Sequence, residues 1–289
     1  MTRRDILTAV PVAFRADGSL DRAGSREILE YVARSGNEGA FVLGTTGEFP
    51  SLSFDERGEL ARDSVEILAP VMRVVVHVGA ASTYEALRYV AQAREAGATE
   101  IAAITPYYLA ATDAAIYEYY RAIAEASDGL GLYAYVYRAV SGNFINNELM
   151  ARLALLPNVV GAKVSDEPLA QIAAYRSVVP ESFLLYTGSD RDLARAGKYG
   201  AQGVVSGISS VLPKPFRALA AAAAGGDQAT LERAQSDVDD AVDSIQGNMA
   251  RMKAAYRLLG VNGGTVRMAI EQPDADSLAE IERAIAAYR

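Results

Sequence analysis

Eight short runs of apolar, often β-branched residues punctuate the first 206 positions: Ile6–Phe14, Gly39–Leu43, Arg73–Val78, Glu100–Thr105, Gly131–Tyr137, Val159–Val164, Phe183–Tyr186 and Gly203–Ser206. Most lack polar alternation, which predicts parallel strands covered on both faces. Amphipathic stretches separate them and carry start signals. Ser53-Phe-Asp-Glu56 has capping-box spacing ahead of a helix to about Leu68. Ser82-Thr-Tyr-Glu85 repeats the device before a helix ending near Ala96, where Gly97 supplies the stop. Thr112-Asp113 opens another helix, and Pro213 opens one after the last strand.

Strand and helix alternate in this order eight times, which predicts a closed (β/α)8 barrel rather than an open doubly wound sheet. A G-x-G-x-x-G turn after the first strand would favour a dinucleotide fold, and none is present. Beyond about Asp227 the pattern is helical only, over roughly 227–260 and 275–288. The expected organisation is a barrel over residues 1–225 with a helical extension, 226–289, packed on it.

Length agrees, since 289 residues suits a single barrel of about 250 with additions. Acidic residues exceed basic ones, 36 to 28, so the basic footprint of a nucleic-acid binder is missing. Absence of cysteine excludes disulfides, thiolate metal sites and thiol nucleophiles. With His77 as the only histidine, a multi-histidine metal site is excluded as well. The longest small-apolar stretch, Ala218 to Ala224, is too short to span a bilayer. The expectation is a cytoplasmic enzyme with neither membrane nor nucleic-acid partner.

Lys163 is the one lysine within the eight strand cores, in Val159-Val-Gly-Ala-Lys-Val164. An apolar setting disfavours the ammonium and lowers its pKa, leaving free amine able to attack a carbonyl. The alternative is a strand-end lysine reaching a carboxylate or water. Position at a strand's C-terminal end, where barrel enzymes hold their catalytic groups, favours the first. Gly44-Thr-Thr-Gly-Glu48 follows the second strand, and its glycines permit a tight loop with inward amides, an anion cradle or a plain turn. Tyr133, Tyr135 and Tyr137 alternate along the fifth strand and so share a face. Such a stripe is ordinarily packing, although a phenol near an imine also relays protons. Pro106-Tyr107-Tyr108 closes the fourth strand at the same rim. His77 reads as a satisfied core residue without a catalytic role. Asp190 is a candidate either for binding substrate hydroxyls or for capping the helix that follows.

Gly44-Thr-Thr-Gly-Glu48, Thr105-Pro-Tyr-Tyr108, the tyrosine strand ending at Ser141-Gly142, and Val160-Gly-Ala-Lys163 occur in order. Together they resemble the dihydrodipicolinate synthase/N-acetylneuraminate lyase superfamily of class I pyruvate aldolases, over nearly the whole chain. Asp17-Gly18 and Arg251-Met-Lys-Ala-Ala-Tyr-Arg-Leu-Leu-Gly260 also look familial. The resemblance implies Lys163 as the Schiff-base lysine and Thr45-Thr46 as the carboxylate-binding pair. It implies Tyr135, 28 residues before Lys163, as the proton relay, completed by Thr45 and by a Tyr108 that reaches across a dimer interface. Gly188, Asp190 and Val205 are the further substrate-binding positions. No metal or organic cofactor is implied, the covalent imine at Lys163 serving instead. The implied substrates are pyruvate or another 2-oxo acid and an aldehyde, and the implied assembly is a homotetramer, a dimer of dimers.

Three departures bear on the aldehyde. Where synthases read YNVPxRTG, this chain reads Tyr135-Val-Tyr-Arg-Ala-Val-Ser-Gly142, so Val140 replaces the arginine that would meet the second substrate's carboxylate. Arg138 occupies the usual proline position, and the Thr-Pro expected after the first strand is Val12-Ala13. Loss of a bidentate guanidinium weakens recognition of an acidic aldehyde such as aspartate semialdehyde. Sugar-acid lyases resemble the chain better there, although Arg191 stands where sialic-acid lyases carry an acid. The expected activity is cleavage or formation of a C–C bond on a 2-keto-3-deoxy sugar acid or related 2-oxo acid. Dihydrodipicolinate synthase, a Schiff-base dehydratase and a non-catalytic sugar-acid-binding barrel are the alternatives.

Overall fold

The computed structural model describes residues 4–288. Eight parallel strands close into a barrel in sequence order: β1 Asp5–Ala9, β2 Gly39–Val42, β3 Arg73–His77, β4 Glu100–Ile104, β5 Gly131–Val136, β6 Val159–Val164, β7 Leu184–Thr187 and β8 Gly203–Ser206. Their unalternating sequences are explained by two apolar faces. Ile6, Ala40, Val42, Val74, Val76 and Leu132 face the helices, whereas Leu7, Phe41, Val75, Tyr133, Tyr135 and Val205 fill the barrel. The first strand is shorter than its apolar run predicts. Pro11 has no N–H for the ladder, and Val10–Phe14 leaves the barrel as a segment whose Phe14 makes only isolated bridges, to Leu20 and Thr265.

The outer layer comprises α1 Arg22–Ala33, α2 Phe54–Leu68, α3 Thr83–Glu95, α4 Asp113–Ala126, the short α5 Arg138–Ser141, α6 Asn147–Leu153, α7 Leu169–Arg176, the short α8 Leu193–Ala196 and α9 Pro213–Gly225. Ser53 and Glu56 form the full reciprocal capping box of α2. Ser82 caps α3 through the Glu85 amide, but Glu85 accepts from the Ser82 hydroxyl. Pro213 occupies the first turn of α9. The pair α5 and α6 was not foreseen: Arg138 to Ser141 coils immediately after β5.

The chain ends in α10 Gln228–Ile245, α11 Met249–Leu258 and α12 Ala275–Tyr288. Gln246 and Gly247, both with positive φ, turn the chain between α10 and α11. These helices return over the C-terminal rim. Lys253 on α11 is fully buried and ion-paired with fully buried Glu48, whose other oxygen accepts from the amides of Arg267 (2.9 Å) and Met268 (2.7 Å).

The N-terminal mouth is sealed by polar side chains. Arg73 donates to Glu100 (2.7 Å), Tyr133 (2.8 Å) and Tyr186 (3.1 Å), and Tyr186 donates to Asp5 (2.9 Å). Among the described residues, the interior cavity opens at the opposite end, where the strand C-termini lie.

Candidate active site

β5 and β6 pair so that Tyr135 stands beside Lys163. Lys163 is buried, its Nζ 4.1 Å from the centre of the Tyr135 ring and 4.4 Å from that of Phe41. Burial pulls its pKa down to about 7, against an upward push from the negative charge of Asp190. Near neutrality the amine is therefore divided between its free and protonated forms.

The Tyr135 hydroxyl lies 3.2 Å from Thr45 Oγ1. Burial pushes this phenol up to about 12, while the hydroxyls of Thr45 and Ser165 act in the opposite direction. Tyr135 thus stays protonated and able to donate. Of the three inward tyrosines it alone has its ring against the Lys163 amine. Tyr133 extends to the sealed floor, and Tyr137 lines the cavity higher up.

The loop after β2 is held from several sides. Leu43 and Glu48 bracket it with left-handed φ values of 59° and 52°, and Thr45–Gly47 form one 3-10 turn between them. A Cβ on Gly44 would sit 2.8 Å from the Phe41 ring, so glycine alone fits. His77 anchors the Leu43 carbonyl through Nδ1 (3.0 Å), and its Nε2 accepts from the Ile104 amide (3.1 Å). These partners assign the neutral Nδ1–H tautomer, and burial with nearby Arg57 and Lys163 holds its pKa well below the usual histidine value. His77 is a positioning residue under the hydroxyl loop.

Thr45, Thr46, Tyr135, Lys163, Gly188, Asp190 and Val205 line one cavity of about 630 Å3. Gly188 leaves room for Ser165, whose Oγ would lie 2.2 Å from an added Cβ. Asp190 opens a 3-10 turn, makes no side-chain capping bond and lines the cavity, so the reading of it as a helix cap fails. Its Oδ1 is buried without a partner, and burial raises its pKa to about 6, against the Ser206 hydroxyl and the Lys163 charge.

Tyr108 does not join this group within one chain. It is 93% exposed, with φ 79°, and borders a separate groove of about 350 Å3 beside Ala81–Thr83. Arg138 is also outside the cavity, its guanidinium 5.7 Å from the Phe144 ring centre, and Val140 is exposed on α5.

Sequence reasoning missed Ser165, Asp166 and Glu167 on the loop leaving β6, and Met249 and Met252 from α11, all of which line the cavity. Ser165 was within reach, because period-two alternation puts it on the face of Lys163. The methionines depend on a fold-back that no local pattern reports. Among the described residues no cluster of three His, Asp or Glu side chains is arranged to hold a metal ion, and no helix is long and apolar enough to cross a membrane.

A closed parallel barrel whose sixth strand presents a buried lysine to a tyrosine and a hydroxyl loop defines a lyase of the class I, imine-forming aldolase type. The chain belongs to the dihydrodipicolinate synthetase family, whose model matches residues 2–288. It is 34% identical over 224 residues to a 4-hydroxy-tetrahydrodipicolinate synthase from Azoarcus sp. (strain BH72), covering 77% of this chain and 76% of the relative. A dihydrodipicolinate synthase from Thermotoga maritima superposes with a TM-score of 0.90 at 28% identity, covering 100% of this chain and 99% of that one. An N-acetylneuraminate lyase from Mycoplasma synoviae shares the fold, with a TM-score of 0.88 at 24% identity over 98% and 96% of the two chains.

Proposed function

We propose that the protein is a pyruvate-dependent aldolase or lyase that makes or breaks the C3–C4 bond of a 2-keto-3-deoxy sugar acid or related 2-oxo acid. The observation that carries this reading is the amine of Lys163, buried yet near half-deprotonated, against Tyr135 in an open cavity. The free amine adds to the C2 carbonyl, and loss of water leaves a protonated imine. In cleavage, the C4 hydroxyl gives up its proton through Tyr135 and Thr45, and the C3–C4 electrons flow into the imine. The aldehyde departs, and the enamine takes a proton at C3. Hydrolysis then releases pyruvate and restores the amine. Synthesis reverses these steps. The carboxylate of the 2-oxo acid is assigned to the Thr45–Thr46 turn, and Lys163 supplies the electron sink without an added cofactor.

The same geometry serves 4-hydroxy-tetrahydrodipicolinate synthesis, the activity named for the relative at 34% identity. Val140 and the outward Arg138 favour the first reading, because neither offers a guanidinium to an acidic aldehyde.

Borohydride in the presence of pyruvate is expected to add the mass of a reduced pyruvate adduct at Lys163. Lys163→Ala is expected to abolish it with the circular dichroism spectrum unchanged. Folded wild-type protein that gives no adduct would sink the proposal. Comparing cleavage of keto-deoxy sugar acids with condensation of pyruvate and aspartate semialdehyde separates the two readings. Robust condensation with the semialdehyde overturns the preference stated here.

A further inference from the structure

We propose that the rim of this cavity is an anion filter. Asp166 and Glu167, on the loop leaving β6, and Asp190, on the loop leaving β7, admit aldehydes that offer hydroxyl or ammonium donors and reject those bearing a carboxylate. The proposal rests on the imine-forming reading above and names the partner class of that same site.

Six charged side chains line the cavity: Lys163, Asp166, Glu167, Asp190, Arg191 and Asp192. In the enamine that meets the aldehyde, the Lys163 nitrogen carries no charge. Arg191, the one guanidinium, is drawn away by α10, its Nη1 2.9 Å from Asp239 and its Nη2 2.6 Å from Asp243. Gln235 reinforces the arrangement, its amide donating to the Arg191 carbonyl (3.2 Å) and to the Asp239 carboxylate (3.1 Å). Asp192 is engaged by Arg195. Among the described residues Asp166, Glu167 and Asp190 form no ion pair, and one oxygen of Asp190 is buried without any partner. Val140 removes the other familiar cation, and Arg138 lies against Phe144.

The result is a spatial division of charge. β2 and β6 lie on opposite sides of an eight-stranded closed barrel. The Thr45–Thr46 turn after β2 is assigned the first carboxylate, while the side reached from β6 and β7 carries three carboxylates without an ion pair, one of them with an oxygen buried and unpartnered. Ionised carboxylates accept hydrogen bonds and donate none. A second anion placed among them meets like charge in a partly desolvated space, with no cation to offset it. A hydroxyl or ammonium supplies the donors these oxygens lack.

The test uses the intact enzyme with pyruvate and three aldehydes of matched length ending in a hydroxyl, an ammonium or a carboxylate. Wild type is expected to use the first two with kcat/KM at least about 100-fold above the third, a gap that narrows between about 0.01 M and about 0.5 M salt. Asp166→Asn/Glu167→Gln is expected to raise kcat/KM for the carboxylate aldehyde by about tenfold and to lower it for the ammonium aldehyde. Glu167→Lys should raise the former further. Both positions are at least partly exposed, so these variants are expected to fold. Comparable use of all three aldehydes by wild type, or an unmoved ratio in the variants, overturns the filter. Borohydride trapping with pyruvate alone, run in parallel, separates the two levels. An intact adduct with a flat preference defeats the filter only, whereas loss of the adduct in wild type defeats the imine reading beneath it.

Discussion

With a pKa near 7, Lys163 is mostly ammonium at pH 6 and mostly free amine at pH 8. An ordinary exposed lysine reaches that balance only above about pH 10. The rate of borohydride trapping with pyruvate is therefore expected to rise with pH and reach half its plateau near pH 7. Asp190 stabilises the ammonium, so Asp190→Asn is expected to move the midpoint lower. A midpoint that stays fixed or rises in that variant, measured by mass spectrometry across a pH series, contradicts the coupling. His77 lies in the same interior and is held even more firmly neutral, but both its nitrogens are occupied by backbone groups. Burial alone does not confer reactivity. What sets Lys163 apart is an amine directed into open space.

Much of this was legible from local chemistry. Lys163 stood out as the one lysine in the strand cores, and the hydroxyl loop was marked by its glycines, but alternation only put three tyrosines on one face, and it took the family resemblance to single out Tyr135. The apolar run through Phe14 overstated β1, because an apolar string does not register the break at Pro11. The fifth strand was read to Tyr137 with nothing assigned directly after it, yet Arg138–Ser141 coils into α5. Asp190 remained ambiguous between cap and cavity until its place in the 3-10 turn was known.

At the scale of elements, the helical extension is built into the site. α11 sends Lys253 to Glu48 and Met252 to Gly207, where an added Cβ would lie 2.7 Å from the methionine Cε and 3.4 Å from Thr46 Oγ1. Lys253→Met leaves a buried carboxylate without its counter-charge, a loss of about 3–5 kcal/mol. Calorimetry is expected to record a fall in Tm on the order of 10 °C. Glu48→Gln combined with Lys253→Met should recover part of it. A single variant melting within about 2 °C of wild type would show the pair to be dispensable. None of this was visible in sequence, since 205 residues separate the partners.

The whole molecule raises the matter of Tyr108. In one chain it is exposed and not part of the cavity lining, with backbone held in a left-handed conformation uncommon for tyrosine. We infer that it completes the proton relay of a second protomer within a dimer, the unit from which the expected tetramer is assembled. Mixing subunits tests this. Tyr108→Phe and Lys163→Ala homo-oligomers should each be impaired, and hybrids formed by dissociation and reassembly should regain activity. One site in each hybrid joins an intact lysine to an intact partner tyrosine. Activity that never exceeds the average of the two parents confines Tyr108 to its own chain.

The knot of Arg73, Glu100, Tyr133, Tyr186 and Asp5 gives the barrel one doorway. Traffic through a single doorway is ordered by depth. On the imine-forming reading proposed above, a 2-oxo acid bound covalently at Lys163 would occupy the inner berth, and its partner would dock nearer the exit. In cleavage the aldehyde must then depart first and the 2-oxo acid last. In synthesis the 2-oxo acid must arrive before its partner, so a partner already berthed in the throat delays the very reaction it awaits.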